Sequence, residues 1–258
     1  MMKVKTVVIT GTSSGIGYDL AKFLLQKGYQ VIGLSRRETD LPGIISIRLD
    51  ITSKESIENA KKEILKHTSQ IDYLIQNAGM GIAGSIINAT KEDIELQFNT
   101  NLFGPIYFAQ ALLNFMHEDS RIIQIGSVAG DLTIPYQSFY SMSKAALEKF
   151  SEALAMELHE RKIKVTTILP GDTKTGFTSS RKKNILKEEE KVNHSVSKME
   201  KDEQKGVAPI KVTKVIYRVM KRKNPPIRIA VGAKYRFFLF LERILPRKAV
   251  LFFIRKIY

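Results

Sequence analysis

The 258-residue sequence contains no cysteine. Disulfide bonds, thiolate metal sites and thiol nucleophiles are therefore excluded. Histidine is also scarce, and the four that occur, His67, His117, His159 and His194, lack the spacing of metal ligands. We interpret them as surface residues and expect no metal site.

A hydrophobic run long enough to span a bilayer, about 20 residues, is missing as well. The unbroken apolar run Ala249–Ile254 falls far short of that length. Residues 1–11 lead directly into a predicted strand and lack the charged-then-apolar layout of a signal peptide. The sequence therefore predicts a cytoplasmic protein.

Acidic residues are few beside basic ones: 26 Asp and Glu stand against 41 Lys and Arg, a net charge of +15. Such a charge suits nucleic acid, an anionic membrane surface or a phosphorylated cofactor. No recognised nucleic-acid module or interleaved aromatic patch is present, so nucleic acid is the weakest of the three. The length suits one large α/β domain over residues 1–258.

A strand, a glycine-rich turn and a helix are predicted at the start of the chain. The β-branched run Val4–Thr10 is typical of a strand buried on both faces. Gly11, Gly15 and Gly17 follow, and apolar residues at helical spacing then continue to Gly28. Such glycines let the backbone approach a pyrophosphate at the helix N-terminus. The GxxxGxG spacing differs from the GxGxxG pattern of many dinucleotide-binding turns. Glycine-rich turns also occur for purely structural reasons.

The end of the second predicted strand, Gln30–Leu34, bears on the choice of cofactor. An acidic residue there would accept hydrogen bonds from a ribose 2′-hydroxyl, but the chain has Ser35, Arg36 and Arg37. Serine and two arginines suit a 2′-phosphate instead. The pattern favours NADP(H), although a solvated basic loop would also place arginine here.

The third predicted strand, Ile44–Leu49, ends at Asp50. Asp50 either accepts a hydrogen bond from an adenine amino group or begins the next helix, with Thr52 and Ser53 as caps. Both readings stay open.

The fourth predicted strand, Asp72–Gln76, ends in Asn77-Ala78-Gly79, whose small residues would leave room for a cofactor ribose. A long helix is predicted over Lys91–Met116. Within it Asn101 is a polar residue among apolar neighbours, and it can satisfy a backbone carbonyl and also serve catalysis.

Tyr140 and Lys144 lie four residues apart in a predicted helix over Ser138–Arg161, so they share one face. A phenol with a pKa of about 10 needs roughly 4 kcal/mol to be half ionised near neutrality. One unit charge about 4 Å away supplies about that much. The pair is thus a candidate general acid/base, and Ser127, after the strand Ile122–Ile125, could bond the same substrate oxygen. The spacing alone is common on surface helices.

The motifs that carry a family resemblance occur in order along the chain. They are Gly11-xxx-Gly15-Ile16-Gly17, Asn77-Ala78-Gly79, Asn101, Ser127, Tyr140-xxx-Lys144 and Pro170-Gly171. In this combination the chain closely resembles the short-chain dehydrogenase/reductase family, classical type, over roughly residues 3–177 and more weakly to about residue 232. The resemblance implies a doubly wound Rossmann fold, α/β/α in three layers, with a seven-stranded parallel sheet in the order 3-2-1-4-5-6-7. The alternation of strands and helices indicates the same doubly wound class independently.

The resemblance also implies a catalytic tetrad of Asn101, Ser127, Tyr140 and Lys144. Tyr140 would give or take the proton, and Ser127 would orient the substrate oxygen. Lys144 would hold the nicotinamide ribose and support the phenolate, and Asn101 would position a water that links Lys144 to solvent. The intact tetrad counts against a non-catalytic scaffold.

A loop after the strand Lys164–Leu169 would contact the nicotinamide amide by the same resemblance, with Thr173 and Thr175 as candidates or, alternatively, as caps. The residues expected to contact NADP(H) are Gly11, Ser13, Ser14, Gly15, Ile16, Gly17, Ser35, Arg36, Arg37, Asp50, Ile51, Asn77, Ala78, Gly79, Tyr140, Lys144, Pro170, Gly171, Thr173 and Thr175.

Two segments lie outside these motifs. Residues 181–208 are almost entirely charged and polar, and we expect a substrate lid with a mobile helix rather than a disordered linker. A helix over Val212–Lys221 and a strand over Arg228–Val231 follow. Residues 234–258 read as two short amphipathic helices broken near Pro246. We expect these helices either to pack over the substrate cleft or a subunit interface, or to lie on an anionic membrane. We favour packing on the protein.

We therefore expect an NADP(H)-dependent oxidoreductase that interconverts a ketone and a secondary alcohol, and a homo-oligomer, either dimer or tetramer. The substrate is expected to be lipophilic: steroid-like, a long-chain ketone or an acyl derivative. The alternatives are a broad-specificity reductase of small carbonyls and a non-catalytic NADP(H)-sensing protein.

Overall fold

The computed structural model describes residues 4–258, and parallel β-strands form its centre. The described residues contain nine strands: β1 (Thr6–Thr10), β2 (Gln30–Ser35), β3 (Ile45–Arg48), β4 (Ile71–Gln76), β5 (Ile82–Gly84), β6 (Met116–Ile125), β7 (Lys164–Leu169), β8 (Lys182–Asn184) and β9 (Arg228–Ala230). Seven of them form one sheet in the order β3-β2-β1-β4-β6-β7-β9. All its neighbouring strands run parallel, so the predicted fold class and strand order are confirmed.

Helices cover both faces of this sheet. The described residues contain ten α-helices: α1 (Gly15–Gln26), α2 (Lys54–His67), α3 (Lys91–Phe98), α4 (Gly104–Leu112), α5 (Ser138–Glu157), α6 (Phe177–Ser180), α7 (Glu190–Gln204), α8 (Pro209–Lys221), α9 (Ala233–Ile244) and α10 (Arg247–Ile257).

The apolar core is divided by the sheet, because neighbouring side chains of a strand point to opposite faces. Val8 of β1 packs in a cluster with Leu112 of α4, whereas Val7 and Ile9 pack in another with Leu20 of α1. All five side chains are fully buried. Burial on both faces explains why the strand sequences are continuously apolar rather than alternating.

The long helix predicted over Lys91–Met116 is wrong as a single element. The chain instead forms α3, a π-helical turn at Asn99–Phe103, α4 and a 3₁₀ turn at Leu113–Phe115. Met116 already belongs to β6, which is longer than the predicted strand Ile122–Ile125. The extra strand residues 117–119 are polar, so hydrophobicity did not reveal them.

Residues 181–208 and 234–258 pack onto this core. In residues 181–208, β8 pairs with β5 in a separate two-stranded sheet, and α7 follows. The tail forms α9 and α10 around Pro246, as predicted, with Leu239 and Val250 buried beneath them. Within residues 4–258, no helix is both long and apolar enough to cross a membrane.

Leu112→Ala should lower the free energy of unfolding by about 2–5 kcal/mol, because it removes buried methyl groups and leaves a cavity. Leu96→Ala is the matched control, since Leu96 is 39% exposed and should lose less than about 1 kcal/mol. Urea denaturation measures both. Equal losses would contradict the described core.

Candidate active site

The glycine-rich turn after β1 is shaped for close backbone contacts. Gly11 and Gly15 have φ values of 75° and 61°, which favour glycine. A Cβ at Gly17 would overlap the Gly11 carbonyl oxygen, so α1 begins directly against this turn. The first turn of α1 has no acidic residue, and Ser14, its N-cap, makes no capping bond through its side chain.

The loop after β4 is fastened to this turn by hydrogen bonds. The Thr10 hydroxyl accepts from the backbone N–H groups of Asn77 and Ala78, both at 3.0 Å. The Asn77 side chain donates to the carbonyls of Thr10 at 3.1 Å and Gly11 at 3.0 Å. Two predicted cofactor segments therefore meet at the carboxyl end of the sheet. The N–H groups at the N-terminus of α1 and the exposed backbone of the glycine-rich turn fit a dinucleotide pyrophosphate.

At the end of β2 the three predicted residues behave differently. Ser35 is buried, and its hydroxyl donates to the Arg37 carbonyl. Arg36 and Arg37 are exposed to solvent. The guanidinium groups, rather than the serine, are therefore open to a bound anion.

Asp50 takes the structural role that was one of its two predicted alternatives, at the start of the segment before α2. Its Oδ1 accepts from the Thr52 N–H at 3.0 Å and from the Thr52 hydroxyl at 2.7 Å. Burial alone would raise the pKa of Asp50, but these two bonds and the charge of Arg36 hold it below its ordinary value. Ser53 caps α2, and Ile51 is buried beside Gly104.

The structure brings Tyr140 and Ser127 near each other, and the Ser127 oxygen accepts from the Ala129 N–H at 3.1 Å. Burial raises the pKa of Tyr140 above its ordinary value, against the lowering effect of Ser127. The phenol is thus protonated over the neutral range.

Lys144 lies one turn further along α5 and is 5% exposed. Its Nζ donates to the Ile125 carbonyl at 2.8 Å and is 5.9 Å from the centre of the Tyr140 ring. A Cβ at Gly79 would lie 3.5 Å from this Nζ, so the loop after β4 packs directly against the ammonium. Burial lowers the pKa of Lys144 to about 8. Burial, and not the charge of Lys144, determines the direction of the shift in the pKa of Tyr140.

Asn101 is fully buried in the π-helical turn. Its side-chain oxygen accepts from the Met80 N–H at 2.9 Å, and its nitrogen donates to the Met80 carbonyl at 2.9 Å. The same nitrogen donates to Ser143 at 3.1 Å, and Ser143 donates to the Tyr140 carbonyl at 2.8 Å. Asn101 therefore joins the loop after β4 to α5.

The loop after β7 closes the site from the other side. The Pro170 carbonyl accepts from Val128, next to Ser127, at 3.1 Å. Thr173 donates to the Gly171 carbonyl at 2.9 Å, and Thr175 accepts from the Phe177 N–H at 3.2 Å. Thr175 thus bonds the first N–H of α6, although the N-cap residue itself is Gly176. A Cβ at Gly15 would lie 3.3 Å from Thr175, so this loop reaches the glycine-rich turn.

Four residues near Tyr140 were not predicted. The Phe177 ring lies 5.8 Å from the Tyr140 ring, and the Arg181 guanidinium is 5.5 Å from the Phe177 ring. The Arg181 side chain is 1% exposed and bonds Glu203 of α7. Ser143 could have been found from its helical spacing to Tyr140. Phe177, Arg181 and Glu203 carry no such signal, because folding of the lid brings them together.

Comparison with known proteins agrees with this geometry. The profile of the short chain dehydrogenase family matches residues 5–186. A 3-ketodihydrosphingosine reductase of Bacteroides thetaiotaomicron is 40% identical over 239 residues, which cover 90% of this chain and 89% of that protein.

Solved structures show the same fold. A short-chain dehydrogenase from Streptomyces avermitilis has a TM-score of 0.83 and 29% identity, covering 93% of this chain and 92% of that one. A serine dehydrogenase complexed with NADP⁺ has a TM-score of 0.77 and 26% identity, covering 88% and 94%. Other structures of this fold contain NAD or NADP.

The doubly wound sheet and its glycine-rich turn define a Rossmann-type oxidoreductase that uses a nicotinamide cofactor. The chain belongs to the short-chain dehydrogenase/reductase family.

The buried ammonium of Lys144 predicts a dependence of stability on pH. Its pKa in the folded protein, about 8, lies below its ordinary value of 10.5. Between these values the unfolded chain binds more protons, so Lys144 makes stability rise with pH there. Lys144→Met should reduce this rise between about pH 8 and 10 by about 1 kcal/mol per pH unit.

Urea denaturation across this range measures the effect. Lys62→Met, at an exposed lysine of α2, is the matched control and should leave the pH dependence unchanged. If the free energy of unfolding depended on pH in the same way in the wild type and in Lys144→Met, the lowered pKa of Lys144 would be refuted.

Proposed function

We propose that this protein interconverts the ketone of a 3-keto sphingoid base, a long-chain amino ketone, and the corresponding secondary alcohol with NADP(H). The observation that carries the proposal is the grouping of Ser127, Tyr140 and Lys144, with the Lys144 ammonium beside Gly79. Identity of 40% to a 3-ketodihydrosphingosine reductase supports the choice of substrate.

In the reduction, the Ser127 hydroxyl donates a hydrogen bond to the substrate carbonyl oxygen and orients it. NADPH, when bound, would provide the hydride that adds to the carbonyl carbon. Tyr140 gives its hydroxyl proton to the carbonyl oxygen, which becomes the alcohol, and is left as a phenolate. The raised pKa of Tyr140 keeps this proton in place at neutral pH, which suits a general acid.

Lys144 and Asn101 would act around this step. The Lys144 ammonium, next to Gly79, would bind the nicotinamide ribose and stabilise the phenolate. Asn101 holds the loop after β4 through Met80. The predicted water between Lys144 and solvent would lie along the same side of α5.

NADP(H) rather than NAD(H) is favoured by the two exposed arginines after β2. Arg36 and Arg37 together offer two positive charges and planar donor groups to a 2′-phosphate. The remaining predicted cofactor residues, from the glycine-rich turn to Thr175, would supply the other contacts of the cofactor.

The segment 181–208 would serve as the substrate lid. Its helix α7 presents Val192, Val196 and Met199 to an apolar cluster that includes Ala83. An apolar cover of this kind suits a lipophilic chain. A cytoplasmic location and assembly as a dimer or tetramer belong to the same proposal, and exposed Phe103 and Tyr107 offer an apolar contact for a second copy.

The wild-type protein should oxidise NADPH in the presence of a 3-keto sphingoid base, and Tyr140→Phe should lower kcat/KM by about 10²- to 10⁴-fold because it removes the donated proton. NADPH binding should stay nearly unchanged. Tyr107→Phe, at an exposed tyrosine, is the control. A steroid ketone and a small ketone complete the substrate panel.

Turnover of small ketones alone would favour the broad-specificity reductase. Binding of NADPH without turnover of any ketone would favour the sensing protein. A Tyr140→Phe variant that keeps most of its activity would disprove the catalytic assignment.

Replacing Arg36 and Arg37 together by alanine should raise the KM for NADPH on the order of 10- to 100-fold, since each charge-assisted bond contributes about 1.5–3 kcal/mol at most. The KM for NADH should change little. Arg222→Ala, at an exposed arginine after α8, controls for the loss of surface charge. Equal catalytic efficiency of the wild type with both cofactors is the result that would overturn the preference.

A further inference from the structure

The outer faces of α9 and α10 expose a group of large apolar side chains. We call this group the tail surface. Its members are Phe237, Phe240, Ile244, Leu251, Phe252, Phe253 and Ile257, each between 46% and 60% exposed. Single exposed apolar residues are ordinary, but a group of four phenylalanines with aliphatic neighbours on two successive helices marks an interaction site.

Helical spacing puts these residues on one side of α9. Phe237, Phe240 and Ile244 are three and seven positions apart, so they share a face. Leu239, on the opposite face, is buried against Val128 and Leu169. The helix is therefore amphipathic: one apolar face packs on the protein, and a second is left to the surroundings.

Positive charge surrounds the tail surface. Residues 234–258 contain seven basic side chains and one acidic one, Glu242, a net charge of +6. Glu242 pairs with Arg247 at 2.6 Å. Arg255 and Lys256 lie over the Phe252 ring, 6.0 and 5.8 Å from its centre. Cations and apolar rings thus stand side by side.

Five of these cations lack an acidic partner among residues 4–258 in the structure. They are Arg236, Arg243, Lys248, Arg255 and Lys256. A second copy of the tail surface would bring the same positive charge and be repelled. An anionic bilayer provides both partners: phosphates for the cations and acyl chains for the apolar side chains.

We infer that the tail surface binds the face of an anionic lipid bilayer, with α9 and α10 lying on the membrane rather than across it. This binding depends only on the exposed apolar side chains and the basic side chains of the tail, and is therefore independent of the proposed substrate.

The inner side of the tail contacts parts of the candidate active site. The Tyr235 hydroxyl bonds Asp172, next to Gly171 in the loop after β7. Lys198 of α7 donates to the Ile257 carbonyl, and Tyr258 packs in the apolar cluster of α7. A bilayer bound by the tail would therefore lie beside the lid segment. Under the proposed function, a lipophilic substrate would reach the site without leaving the membrane.

Vesicle sedimentation tests the inference without any activity measurement. The full-length protein should sediment with phosphatidylcholine vesicles that contain phosphatidylglycerol, and much less with phosphatidylcholine alone. Raising NaCl from about 0.1 M to about 1 M shortens the Debye length from about 10 Å to about 3 Å and should release most of the protein.

Charge variants test the basic side chains. Combined Arg243→Gln, Lys248→Gln and Lys256→Gln should lower the partition coefficient on the order of 100-fold, since each basic side chain near an anionic leaflet contributes about fivefold. The matched control removes three exposed lysines elsewhere and should bind like the wild type. It combines Lys22→Gln, Lys62→Gln and Lys91→Gln.

Apolar variants test the rings independently. Combined Phe237→Ser, Phe240→Ser and Phe252→Ser should lower partitioning more than tenfold, because little apolar area remains to enter the headgroup region. The control combines Ile87→Ser and Met156→Ser, at side chains that are 92% and 73% exposed. Circular dichroism and the elution volume of each variant report its folding and oligomeric state.

Failure of the wild type to sediment with anionic vesicles at low salt would overturn the inference. So would unchanged binding by the glutamine variant. A wild-type dimer that dissociates in the phenylalanine variant, without vesicle binding, would assign the tail surface to a second copy instead.

Discussion

The side-chain amide of Asn101 is the contact on which the candidate site depends. It is buried, and its two polar atoms bind both backbone groups of Met80 and the hydroxyl of Ser143. Loss of either partner would leave a buried polar group unsatisfied, at a cost of about 1–3 kcal/mol. One residue therefore fixes the separation between the loop after β4, which faces the cofactor side, and α5, which carries Tyr140 and Lys144.

The π-helical turn explains how an asparagine comes to lie there. A regular helix from α3 to α4 would rotate the side chains of residues 99–103 differently, whereas the wider turn directs Asn101 inward. Gly104 follows at once, where any side chain would strike the Ile51 carbonyl. The π-helical turn and the close approach of Gly104 to Ile51 thus occur together, and both position the side-chain amide of Asn101.

Much of this arrangement could be predicted from sequence, and the successes have a common cause. Central strands such as β1 are continuous β-branched runs, and the glycine-rich turn and the pair Tyr140–Lys144 follow from local spacing. The failures are also alike. The polar start of β6, the break in the helix at Asn101 and the contact of Arg181 with Glu203 are set by partners distant in sequence, which no local pattern encodes.

The contacts that hold residues 181–208 to the rest of the protein determine where this segment can be replaced by that of another enzyme. β8 pairs with β5, and the buried Asp93 of α3 binds both Lys182 and Asn184. Arg181 immediately precedes these contacts and lies over Phe177, whose ring is beside Tyr140. A chimaera that replaces this segment with that of another enzyme should therefore keep the four residues from Arg181 to Asn184 and begin the foreign sequence after Asn184. An earlier junction would also remove the β5–β8 pairing and the contacts of Asp93.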